Sequence, residues 1–101
     1  MTGIKKESSS LYGDIRLFAG TASPDLAKEI ADYLGLELCG VDIHEFTNEN
    51  LFVKLHASVR GQDCYVIQTT STPVHRNLME LLIMAQTLML DSAGRITLVF
   101  P

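Results

Sequence analysis

Between Leu78 and Leu90 the chain reads LMELLIMAQTLML. Wound at helical pitch, Leu78, Met79, Leu81, Leu82, Ile83, Met84, Ala85, Leu88, Met89 and Leu90 surround the axis on nearly every side, and a helix of this kind needs cover on more than one face. It is too short to span a membrane and carries Glu80 and Gln86 within it. The run therefore belongs to a layered domain, as a helix over about Arg76 to Leu90 lying on a sheet. A chain of 101 residues can hardly supply a second cover. A partner subunit or a further domain is expected on the outer side. The alternative is a helix that is simply central in its own fold.

The rest of the chain supplies the sheet. Ile15 to Ala19 predicts a first strand, broken at Gly20. Ser23-Pro24-Asp25 is a helix start, with Ser as N-cap, Pro at the first helical position and an acid in the first turn. Ala27, Ile30, Ala31 and Leu34 make one apolar stripe, and Gly35 can take the left-handed conformation that ends it. Leu38 to His44 predicts a second strand, and Asn48-Glu49-Asn50 is turn chemistry. Val53, Leu55, Ala57 and Val59 then alternate with Phe52, Lys54, His56 and Ser58, a half-buried strand pairing antiparallel with the one before. After the turn Arg60–Asp63, the run Cys64-Tyr65-Val66-Ile67 suits a central strand covered on both faces. GRITLVFP closes the sheet. The order β-α-β-β-β-α-β predicts an α/β fold, a mostly parallel sheet sandwiched by helices with a small antiparallel flap. Residues 1–13, polar and rich in Ser and Lys, are expected to be a disordered tail, and 14–101 a single domain.

A formal net charge of -4 and scattered basic residues argue against nucleic acid as a partner. Lys5 and Lys6 are followed by Glu7-Ser8-Ser9-Ser10 rather than an apolar stretch, so no secretory signal or membrane partner is expected, and the location reads as cytoplasmic. Cys39 and Cys64 are far apart and read as core thiols rather than a disulfide or metal pair.

Little chemistry is visible from the residues alone. Neither a P-loop nor a dinucleotide fingerprint occurs. His44, His56 and His75 have no metal-ligand spacing, and His56 falls on the polar face of its strand. The loop Thr69-Thr70-Ser71-Thr72 before a helix could cradle an anion, or its hydroxyls could cap that helix.

The order and spacing of Phe18-Ala19-Gly20, Phe46-Thr47-Asn48-Glu49-Asn50, Ser58-Val59-Arg60-Gly61-Gln62-Asp63, Asn77 to Met84 (NLMELLIM) and Ser92 to Thr97 resemble the N-terminal domain of ribose-phosphate diphosphokinase, also called phosphoribosyl diphosphate synthase. The resemblance covers about Ile15 to Pro101. It implies a phosphoribosyltransferase-like N-terminal domain in a parent with two such domains, assembled as a homo-oligomer of dimers and then hexamers. It also implies transfer of diphosphate from Mg-ATP to the C1 hydroxyl of ribose 5-phosphate, giving phosphoribosyl diphosphate and AMP. Phe46, Asn48 and Asn50 match the flap motif that holds adenine, with Asn50 where the family usually has Glu. Ser58 and Arg60 match positions that bind activating phosphate or inhibitory ADP; read alone, Arg60 would be an ordinary turn residue. His75 and Arg76 stand where an acidic or amide pair is more common. GRITLVFP resembles the strand leading into the active-site segment, so the chain is expected to be truncated there. It then holds no catalytic residue and no ligand for the parent's Mg2+ cofactor. The second reading is a non-catalytic regulatory homologue that binds synthase subunits, suggested by Asn50.

Overall fold

The structure, a computed structural model, describes residues 13–45 and 51–100. Phe46, Asn48, Asn50 and all but the last residue of the expected tail lie outside these. The elements follow the anticipated order: β1 (Ile15–Ala19), α1 (Pro24–Leu34), β2 (Val41–Glu45), β3 (Leu51–Leu55), β4 (Asp63–Ile67), α2 (Val74–Leu90) and β5 (Arg95–Val99). β1, β4 and β5 form a parallel sheet in the order β1-β4-β5, while β2 and β3 form a separate antiparallel pair. The fold is therefore α/β with a small antiparallel flap.

β4 is central because its side chains can be buried on both sides. Cys64 and Val66 face one layer and Ile67 the other, and all three are buried. Phe18 and Val66, paired in register, pack with Val53, Val59, Leu81, Met84 and Leu88 into one core, joined by the half-buried Val41, Ile43, Leu55, Ile96 and Leu98. α2 and the hairpin thus share one face of the sheet. Alternation along β1 turns Leu17 to the opposite face, where α1 brings Ala27 and Ala31. Gly35 ends α1 in the left-handed conformation, at φ 74°, as its sequence position predicts.

Several boundaries differ from expectation, among them the start of α2 at Val74 rather than about Arg76. β2 starts at Val41 rather than Leu38, because Leu38 joins β1 in a single parallel bridge and Cys39 N–H donates to Leu17 O at 2.7 Å. Gly40 then carries the chain into the hairpin; a β-carbon there would run into the His56 ring. β3 stops at Leu55, although the alternation runs on to Val59. His56 N–H closes the ladder on Gly40 O at 3.1 Å, and Ala57 is left exposed as the chain turns away. β4 begins one residue early, at Asp63, which pairs with both Ile15 and Arg95. The Arg95 guanidinium grips the buried Asp63 carboxylate with two hydrogen bonds, at 3.0 and 2.9 Å, and pins the starts of β4 and β5 together.

α2 buries a single stripe, Asn77, Glu80, Leu81, Met84 and Leu88. Its other side presents Leu78, Met79, Leu82, Met89 and Leu90 to solvent, with Met89 67% and Leu90 75% exposed. Among the described residues, then, α2 is covered on one side only.

Burial pushes the Cys64 thiol up to about 11, helped by Cys39 and Asp63 and opposed by Arg16. At pH 8 only about one part in a thousand of such a thiol is thiolate. Cys64 should stay unalkylated by iodoacetamide at pH 8 in the folded chain and react once the chain is unfolded in urea, as read by peptide mass analysis.

Candidate functional site

In open parallel sheets the chemistry gathers beyond the carboxyl ends of the strands. Here β1 runs out at Ala19 into Gly20-Thr21-Ala22, and β4 at Ile67 into Gln68-Thr69. The first half of α2 crosses these two ends. Its spacing of three residues sets Asn77 and Glu80 on the face that meets them.

Glu80 is fully buried. A carboxylate in that position must be supplied with donors. Thr21 N–H donates to Oε2 at 2.6 Å and the Thr21 hydroxyl to Oε1 at 2.8 Å. Gln68 Nε2 donates to Oε2 at 3.0 Å. Arg76, one helical turn before Glu80, forms an ion pair with Oε1. Further bonds hold the same end of the sheet: Gln68 Oε1 accepts from Ala22 N–H at 3.0 Å, Gln68 Nε2 donates to Asn77 O at 3.3 Å, and Asn77 Nδ2 donates to Ser71 O at 2.8 Å. Gly20 is required here because a β-carbon would strike both the Gln68 amide and the Glu80 carboxylate.

The hydroxyl loop does something other than cap a helix. Ser23 occupies the N-cap of α1 but makes no side-chain cap bond; its hydroxyl pairs with that of Thr69. The Thr69 hydroxyl meets that of Ser71 at 3.0 Å, and α2 begins from Pro73, after a cis Thr72–Pro73 bond, with no side-chain cap. The loop hydroxyls thus tie the two strand-to-helix connections to each other.

Arg76 also reaches the hairpin. Its Nε donates to Glu45 Oε1 at 3.1 Å, and Nη1 donates to Thr21 Oγ1 at 3.2 Å. Its pKa is raised, first by the Glu80 hydrogen bond and then by Glu45, against burial. A cavity of about 400 Å³ opens beside it, lined by Glu45, Leu51, His75, Arg76 and Met79. Glu45 and Leu51 are the last and first described residues on either side of 46–50.

Ser58 and Arg60 stand apart from this cluster, in the β3–β4 connection. Both are exposed. Arg60 N–H donates to Ser58 Oγ at 3.3 Å, which draws the hydroxyl and the arginine to the same turn. Among the described residues no three His, Cys, Asp or Glu side chains gather as metal ligands. Glu45 and Glu80 do converge, but on Arg76, and the Glu80 oxygens are filled by donors, so the pair does not suit a magnesium ion. Among the described residues no helix is long and apolar enough to cross a membrane.

The sequence marked Glu80 only as a polar interruption. The signal that could have exposed its role is its register: Asn77, Glu80, Leu81, Met84 and Leu88 lie on one stripe, and an acid on a buried stripe demands donors.

Residues 15–101 match the family model of the N-terminal domain of ribose phosphate pyrophosphokinase. The chain belongs to that family. It is 49% identical over 87 residues to ribose-phosphate pyrophosphokinase 1, chloroplastic, of Arabidopsis thaliana, a match covering 86% of this chain and 22% of that protein. The Bacillus subtilis ribose-phosphate pyrophosphokinase is 42% identical over 95 residues, covering 92% and 30%. The fold is similar to the crystal structure of phosphoribosylpyrophosphate synthetase from Mycobacterium smegmatis, with a TM-score of 0.84 and 40% identity over 86% of this chain and 29% of that one. The chain thus spans less than a third of the length of each of these relatives.

Replacing Glu80 by Ala strands the Thr21, Gln68 and Arg76 donors at a buried site. The expected loss is about 3 kcal/mol or more in urea unfolding. The exposed control Glu29→Ala should stay within about 0.5 kcal/mol of the parent.

Proposed function

We propose that the chain is the N-terminal part of a ribose-phosphate diphosphokinase, which transfers diphosphate from Mg-ATP to ribose 5-phosphate and releases AMP. The observation that carries this reading is the family match across 15–101. In the proposed reaction the C1 hydroxyl oxygen bonds to the β-phosphorus as the bond to the α-phosphate breaks, and AMP leaves. Such a step relies on positioning and charge neutralisation more than on covalent chemistry. Magnesium would neutralise the phosphates, held by residues outside this chain.

Within the chain, Phe46 offers a flat apolar face for adenine, and Asn48 and Asn50 offer side-chain amides to its edge. Ser58 and Arg60 offer a hydroxyl and a guanidinium from one turn to a phosphate or ADP effector. The apolar outer side of α2 fits assembly with further copies of the parent. A cytoplasmic location belongs to the same reading, and fractionation that finds the protein in a plastid, as the Arabidopsis relative's name indicates for that protein, would overturn it.

Asn50 supports a second reading, a regulatory homologue, because it removes a charge from the nucleotide motif. The full-length protein, given Mg2+, inorganic phosphate, ATP and ribose 5-phosphate, should release AMP, and Asn50→Glu should lower its KM for ATP. Absence of AMP from both proteins, with binding to active synthase subunits retained, would favour the regulator.

A further inference from the structure

Alternation along β1 sets Arg16 on the face it shares with Phe18, toward the core, and the parallel register places it beside Cys64. That is an unfavourable place for a guanidinium. Arg16 is half-buried, and among the described residues its Nε is the one buried side-chain nitrogen or oxygen without a hydrogen-bond partner. No described carboxylate forms an ion pair with it. An arginine stem can lie on apolar surface while its head reaches water, but here the nitrogen next to the stem is shut off from water. A buried donor left unpaired is costly and rare in native folds, so it calls for a physical reason.

Arg16 also lines a cavity of about 350 Å³. Three segments build it: the start of β1, the loop from Gly35 to Gly40, and Ala57 after β3. The loop is held along the free edge of β1 by the Leu38 bridge and by Cys39 N–H, which donates to Leu17 O. Of the described lining residues, Arg16 is the cation; Glu37 is the carboxylate, exposed and unpaired with it. The Ser58–Arg60 turn is a separate place, since Arg60 bridges to Ala93 on the β5 side of the sheet. We propose that this cavity is an oxyanion site, in which Arg16 receives the phosphate or carboxylate group of a small ligand. The guanidinium fork matches two oxygens of either group. Turning the fork into the cavity, a side-chain change common on binding, gives Nε the acceptor it lacks. The space is at the lower end for small-molecule sites, which run from about 300 to 1,000 Å³. The proposal does not depend on the adenine or effector readings.

The test follows the Arg16 Nε–H signal of the isotope-labelled chain by NMR as inorganic phosphate is added at constant ionic strength. Acetate, titrated in parallel, represents a carboxylate source, and chloride is the control. Phosphate or acetate should shift the Arg16 signal and the Gly40 and Ala57 amides along one saturating curve, and the tighter of the two identifies the source. Arg16→Gln removes a group with no partner in the chain, so it should fold and should lose the saturating shifts at Gly40 and Ala57. Arg60→Gln, at the separate turn, should leave the Arg16 response in place. Urea unfolding supplies a second readout. With the anion at about tenfold its Kd, the unfolding constant of the parent should fall about tenfold, while that of Arg16→Met should change no more than in chloride. Shifts that never saturate and match those in chloride overturn the proposal. Saturating shifts at Gly40 and Ala57 that persist in Arg16→Gln overturn it too, as does equal stabilisation of the parent and Arg16→Met.

Discussion

A carboxylate with no access to water is the interaction around which the sheet's carboxyl end is organised. Glu80 would be a heavy liability without donors, and it has four: a backbone amide, a hydroxyl, a side-chain amide and a guanidinium. They come from three residues in three local contexts. Thr21 closes β1, Gln68 closes β4, and Arg76 opens α2. To satisfy one charge the chain must bring the ends of two strands and a helix to one point. The same demand explains Gly20, where a side chain would displace those donors. Removing any donor leaves an uncompensated group, so the cluster is specified jointly rather than pair by pair.

The apolar core and this polar end divide α2 between them. Leu81, Met84 and Leu88 serve the hydrophobic layer with the sheet and hairpin, while Asn77 and Glu80 serve the connections. The opposite side of the helix keeps large apolar residues in solvent, with Leu82 at 49% exposure and Met79 at 53%. A face of that size is costly in a solitary molecule. It accords with a domain that is less than a third the length of its relatives, to which the rest of a parent or a neighbouring copy would add cover.

Much of the architecture could be read from residue spacing because the relevant signals are local. Gly35 terminates α1 since only glycine takes its conformation cheaply, and the unbroken apolar run at Cys64–Ile67 has no reading as convincing as a central strand. Alternation in Phe52–Val59 found the hairpin but overran its end: Ala57 keeps the rhythm while the ladder has already closed at His56. Ser23, Thr69 and Ser71 were harder, since a hydroxyl near a helix start caps it in most settings, and only the proximity of two connections gives these a different partner. Glu80 and Arg76 were least visible. Their meaning comes from residues 59 and 31 positions away, which no local pattern reports. Phe46, Asn48 and Asn50 were singled out only through the family's motif, and they lie outside the described residues.

The account stands on the claim that Thr21 is fastened to the buried Glu80 carboxylate, and amide hydrogen exchange reads that bond at a single site. Thr21 sits in an exposed connection between β1 and α1, where an unbonded amide would exchange at the rate of open chain. The account predicts a Thr21 amide as strongly protected as those of β4. Exchange of Thr21 at the rate of a free loop, in a chain whose β4 amides remain protected, would contradict it.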